Sequence, residues 1–124
     1  MSSRSVRNLV EAGKTIPGPW LPRIAGDVND YQVKVARFEG AFDWHSHAEE
    51  DEAFLVVDGR IAIDFRDGSE ELGPNDFLVV KRGVEHRPRA IEGSAIVVMF
   101  EPNSTVNTGE QLTARTVTVL EKLA

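Results

Sequence analysis

Histidine is scarce in this chain, and its placement is the first chemical signal. The three histidines are His45, His47 and His86; Glu52 follows His47 by five residues, and His86 sits three residues after Gly83, near the start of a later strand. On a β-strand successive side chains alternate faces, so His45 and His47 point the same way. Imidazoles and a carboxylate converging on one side of a sheet are the donors that a divalent transition metal takes. The chain has no cysteine, so an ion must be held by nitrogen and oxygen. Three imidazoles and one carboxylate leave part of an octahedral ion's coordination sphere open to water, dioxygen or a bidentate substrate. This donor set suits Mn, Fe, Ni, Co or Zn without choosing among them. The competing structural reading makes each histidine a hydrogen-bonded core residue and the acidic run 49–52 a solvated loop. Within that run Glu49, Glu50 and Asp51 are rivals for the carboxylate role, or lower the local potential in favour of a cation.

Strands must deliver these residues. His45 and His47 are odd-numbered, whereas Glu52, Phe54 and Val56 are even. For all to face one interior, residues 48–51 must break the register by a bulge or turn. The alternation over 31–38 predicts a strand that Gly40 ends, and 41–47 reads as the next. Apolar residues over 54–57 predict a further strand, closed by Asp58-Gly59 as a hairpin turn. Alternation continues over 61–66 to Asp67-Gly68. Strands are expected at 77–80, 84–90 and 95–100, with turns at 73–75, 81–83 and 92–93 between them. Pro102 ends the last core strand, 103–109 reads as a polar loop, 113–120 as an edge strand, and 121–124 as a frayed tail. Residues 1–13 fit a short helix or an edge strand equally. Three prolines between Ile16 and Pro22 make that stretch an extended connector in which Trp20 is a packing anchor. Short strands with regular turns predict an all-β sandwich or barrel.

Composition sets the outer limits. At 124 residues, 41% hydrophobic and 27% charged, the chain fits a single domain, 1–124, with a core over about 30–101. Residues 1–29 form an N-terminal arm and 102–124 a C-terminal extension. A net charge of −6 argues against nucleic acid and against an anionic membrane surface. The N-terminal run has no apolar centre and no stretch reaches transmembrane length, which predicts a cytoplasmic protein.

The pattern Gly40-x4-His45-x-His47-x4-Glu52-x6-Gly59 resembles the first cupin motif, with one residue fewer between glycine and histidine than usual. Gly73-x2-Asp76-x6-Gly83-x2-His86 resembles the second, thirteen residues (60–72) further on. Lys81 stands where the family usually has proline and Ala90 where it often has asparagine. Residues 29–35 and 101–109 are similar to small single-domain cupins of the conserved-barrel cupin 2 type, often labelled mannose-6-phosphate-isomerase-like. The resemblance implies a double-stranded β-helix, a jelly-roll barrel holding a metal on His45, His47, Glu52 and His86. It also implies a homodimer, with Trp20 and residues 4–10 as interface candidates.

Several functions fit these residues. A metal-dependent enzyme on a small oxygenated substrate, a dioxygenase-like oxidoreductase or else a lyase or isomerase, uses the open coordination sphere. Phe54 and Val56 would make its pocket apolar, and Trp44, Phe77 and Met99 are further lining candidates. No histidine is left for acid/base work, which would fall to Glu52, Tyr31 or metal-bound water. The alternative is a non-catalytic module binding a metal or small ligand. A sugar-phosphate isomerase ranks lower, because alternation turns Arg87 and Arg89 away from the face that carries His86.

Overall fold

The computed structural model describes residues 4–123. Helix α1 (Leu9–Thr15) is followed by strands β1 (Arg23–Val28), β2 (Tyr31–Ala41), β3 (Glu52–Asp58), β4 (Ile61–Phe65), β5 (Gly68–Leu72), β6 (Phe77–Val80), β7 (His86–Pro102) and β8 (Glu121–Lys122). The strands form a double-stranded β-helix. The long β7 is its spine, pairing with β2 along one edge and with both β4 and β3 along the other. On the flanks β5 adds to β4, β6 to β3, and β1 and then β8 to β2.

Alternation explains the core. From β2, Ala36 and Phe38 point into the barrel beside Phe54 and Val56 of β3, Ile61 and Ile63 of β4, and Val97 and Met99 of β7. Phe54, Ile61 and Ile63 are fully buried, each contributing about 2–3 kcal/mol of apolar burial. The opposite face of β2 is covered too. Val35 packs with Ile16 and Ile96 in a smaller cluster, with Leu21, Val57 and Leu123 against it.

Several sequence expectations are corrected. Of the N-terminal stretch, Leu9–Thr15 resolves as a helix capped by Asn8, whose side chain accepts from the Glu11 amide. Gly40 does not end β2, which runs through a bulge to Ala41. Residues 42–51 carry no strand, and His45 makes only an isolated bridge with His86. Glu92-Gly93 does not divide β7, because the displaced residues are absorbed where β2 shifts register. Asp58-Gly59 is no hairpin: β3 and β4 do not pair, and the dipeptide carries the chain across the barrel instead. Gly59 is nonetheless required, since its φ is +78° and a Cβ there would lie 2.6 Å from the Ser94 carbonyl oxygen. Residues 113–120 are turns and bends, while Glu121 and Lys122, expected to fray, pair parallel to β1. Strands β1 and the acidic β5 were not anticipated. No helix among the described residues is long and apolar enough to cross a membrane.

Candidate metal centre

Glu52 opens β3 and His86 opens β7, so each sits where a regular ladder begins. His45 reaches the same place by a different route. Its amide donates to the His86 carbonyl at 3.0 Å and the His86 amide returns a bond of 2.9 Å, pinning the two residues opposite each other. One step along, the His47 carbonyl accepts from the Gly83 amide at 2.7 Å. The bend at residues 48–49 supplies the register break that parity demanded. All four side chains are buried, and one donor atom from each lies within 4.8 Å of the others.

The ring nitrogens say which atoms are offered. Nδ1 of His45 faces the Asp43 carbonyl and Nδ1 of His86 the Val84 carbonyl, each at 2.9 Å. A carbonyl only accepts, so both Nδ1 atoms carry the proton and both Nε2 atoms present a lone pair. Nε2 of His47 and of His86 each lie 3.5 Å from Glu52 Oε1. Both Nδ1 and Nε2 of His47, and Nε2 of His86, are buried with no hydrogen-bond partner. Buried polar atoms left unpaired are rare and costly. Nε2 of His47 and Nε2 of His86 converge with a carboxylate oxygen, and a divalent cation at their centre satisfies both, leaving Nδ1 of His47 unpaired. The residues fit such an ion. Burial, seconded by the neighbouring His86, lowers His45 to about 4 against an opposing bond to the Asp43 carbonyl. Its lone pair is therefore free at neutral pH.

One participant was missed from the sequence. Lys34 and Glu101, each 2% exposed, form a buried ion pair at 2.9 Å. Glu101 faces the same interior as Glu52, one register step beyond the Ala53–Phe100 pair. Burial and the Glu52 charge push Glu101 well above the usual carboxylate range, Lys34 opposing. Burial acts the same way on Glu52, but the electrostatic influence of Glu101, His47 and His86 outweighs it and holds Glu52 well below. Lys34 shares the inward face of β2 with Ala36 and Phe38, and Glu101 that of β7 with Val97 and Met99, but their meeting is a tertiary fact.

Above the donors lies a small cavity of about 40 Å³, walled by Trp20, Phe38, Phe42, Phe54 and Met99, with His45 and Glu52 its titratable lining. Trp20 stacks on Phe38 with ring centroids 4.4 Å apart and donates to the Glu39 carbonyl, so it packs on its own barrel. Met99 lines the cavity as expected, but Trp44 and Phe77 do not. Trp44 carries the Arg66 guanidinium 3.7 Å over its ring, and Phe77 is 63% exposed. Tyr31, a candidate for proton transfer, stacks on Phe100 outside the barrel. Arg87 and Arg89 both bind Asp64 on the outer face. Burial would raise Asp64, but Ser69 and the two arginines bring it to about 2. The acidic neighbours are accounted for as well: Asp51 pairs with Lys81, and Glu50 accepts from Ser104.

A family profile described as a cupin domain matches residues 33–101. The chain is 38% identical to a cupin-2 domain containing protein from Shewanella frigidimarina NCIMB 400, whose crystal structure superposes with a TM-score of 0.75 over 79% of this chain and 95% of that one. An uncharacterized protein of Bacillus subtilis (strain 168), YdbB, is 43% identical over 65 residues, 52% of this chain and 58% of the relative. The chain thus matches less than two thirds of that relative's length. Hydroquinone 1,2-dioxygenase from Sphingomonas sp. TTNP3, solved with 4-hydroxybenzoate bound, shares the fold at a TM-score of 0.67 and 20% identity, covering 77% of this chain and 72% of that one.

Proposed function

The chain belongs to the cupin domain family, and from that footing we propose that it is a metal-dependent enzyme, dioxygenase-like, acting on a small, largely apolar molecule that carries oxygen donors. His45, His47, Glu52 and His86 would hold one divalent transition ion, which supplies Lewis acidity and, for iron or manganese, redox capacity. The observation that carries this reading is the position of the four donors beneath a small apolar cavity. The enclosed space is about 40 Å³, far below the usual range of ligand pockets, so an aromatic body requires its walls to open.

The chain's own residues divide the work. Phe38, Phe42, Phe54 and Met99 bind an apolar or aromatic body and exclude bulk water. The imidazoles and Glu52 leave the substrate's oxygens to complete the donor set. No arginine or lysine lines the cavity, which speaks against a phosphorylated sugar. The fold neighbour that binds 4-hydroxybenzoate agrees in the class of molecule. The test is to load the protein with Fe(II) and offer catechols, hydroquinones, diketones and thiols. Oxygen uptake with one class supports the oxidative reading, and none with any class removes it.

One observation favours the second reading, a binding module without turnover: apart from His45 and Glu52 nothing titratable lines the cavity. Tight binding of a catechol with no product after prolonged incubation would select it. We further propose a cytoplasmic homodimer. Exposed Phe77, Val79, Tyr31 and Phe100 lie on the outer faces of β6, β2 and β7 and offer an apolar surface for a second copy. A monomeric mass by light scattering would exclude the dimer, and fractionation into a membrane or exported pool would exclude the location.

A further inference from the structure

A cavity of about 40 Å³ has room for little beyond small ligands of an ion, so the substrate proposed above reaches the donors only when a wall gives way. Most of the lining cannot yield cheaply. Ala36 and Phe38 sit within β2, Phe54 within β3, and Pro88 and Met99 within β7, strands held to one another by ladder bonds. Trp20 belongs to no strand. It closes the cavity on one side and on the other lines a groove of about 620 Å³, together with Leu21, Gly40, Ala114, Arg115 and Val117. That volume lies within the range of small-molecule sites. Among the described residues, Trp20 alone lines both spaces.

Its backbone is both pinned and strained. The Trp20 φ is +62°, a left-handed conformation that bulky side chains rarely adopt, and its amide donates to the Arg37 carbonyl at 2.9 Å. The ring is held more lightly. Nε1 donates to the Glu39 carbonyl at 2.9 Å, and the indole rests on Phe38 and Phe42 with centroids 4.4 and 4.7 Å away. Rotating it into the groove therefore breaks one hydrogen bond and a stack, and unmakes no strand. Residues strained in this way concentrate at clamps and switches. We propose that Trp20 is the gate of the metal cavity, a role that rests on the metal-dependent reading given above. With the indole swung out, groove and cavity become one space, in which the apolar body of the substrate lies against Phe38 and Phe42 while its oxygens reach the ion.

The test is stopped-flow mixing of full-length, Co(II)-loaded protein with azide or catechol, binding at the ion being read from the visible spectrum. Azide fits the cavity as it stands, whereas catechol does not. In wild type the azide rate should rise in proportion to concentration, and the catechol rate should level off at the rate of gate opening. Trp20→Gly removes the ring at a φ that glycine adopts without strain. Trp20→Phe keeps an aromatic wall but loses the bond to the Glu39 carbonyl. Catechol binding should be about tenfold faster or more in Trp20→Gly and intermediate in Trp20→Phe, with azide within about threefold of wild type in both. Trp20→Gly strips out a buried ring and is the variant more exposed to misfolding; should it not fold, Trp20→Phe decides. Catechol rates unchanged in the folded variants overturn the gate. Equal acceleration of azide and catechol overturns it too, since a loosened barrel moves both. Wild type taking up no Co(II) removes the metal reading and the gate together, whereas Co(II)-loaded wild type binding catechol without a plateau removes the gate alone.

Discussion

His47 differs from its two companions. His45 and His86 each have Nδ1 fixed on a backbone carbonyl, whereas neither ring nitrogen of His47 has a partner. Its imidazole is placed by packing and by the backbone around it, so the ring has the most to gain from an ion. His47→Ala should lower affinity for Co(II) or Zn(II) by more than about 100-fold, while Glu50→Ala, which removes only a surface bond to Ser104, should stay within about threefold. Equal losses in a competition titration would break the ligand assignment. The metal-free protein carries a second signature. His45 is lowered from 6.5 to about 4 on folding, so the unfolded chain binds the extra proton. Stability is therefore complete above about pH 6.5 and is lost as pH falls toward 4, by on the order of 3 kcal/mol. Urea unfolding in chelator should show that loss in wild type and a shallower one in His45→Gln; parallel curves would contradict it. Spacing alone marked His45, His47, Glu52 and His86, because scarce residue types at fixed intervals are visible in one dimension. The Lys34–Glu101 pair was not visible, since its members are 67 positions apart and each reads as an ordinary residue of an alternating strand.

Among the elements, the segment after β7 matters most to the site. Residues 103–120 form a strap laid across the loop that carries His45 and His47. The Glu110 amide donates to the Ser46 carbonyl, and Glu110 Oε1 accepts from the Ala48 amide, each at 3.0 Å, bracketing His47 on both sides. Asn107 holds the strap's own turn by donating to the Arg115 carbonyl and accepting from the Val117 amide. Gly109 is what lets the strap lie so close. Its φ is +64°, and a Cβ there would run into the Ser46 carbonyl oxygen. Gly109→Ala should cost roughly 2–3 kcal/mol or more by thermal unfolding, and should weaken metal binding by moving the loop. An alanine variant with wild-type melting and affinity would show that the strap does not position the loop. This segment was misread from the sequence as an edge strand, because Thr113–Leu120 alternates without any partner strand to satisfy it. The glycine signals were over-read for a related reason. Gly40 and Gly93 do mark irregularity, but β2 and β7 are long enough to absorb it as a bulge and continue. Pairing across the barrel, not local turn chemistry, decided where those strands ended.

At the scale of the whole molecule, the jelly-roll barrel does two jobs with one strand. Strand β7 starts at a donor, His86, and further along walls the cavity with Met99. The barrel class was legible because short alternating runs and turns recur along the chain, and the motif spacing pointed to its family. Which strand neighbours which was not, since β7 exchanges partners midway. Nor was the closure of the apolar mouth, where Trp20 from the proline-rich connector folds over Phe38 and Phe42. The central claim is that the barrel gathers His45, His47, Glu52 and His86 around one ion. The most direct measurement is the metal content of protein purified without added metal and dialysed against metal-free buffer, read by elemental mass spectrometry beside the His86→Ala variant. The account predicts close to one divalent transition ion per wild-type chain and almost none in the variant; equal content in the two proteins, or none in wild type even after incubation with each candidate ion, would contradict it.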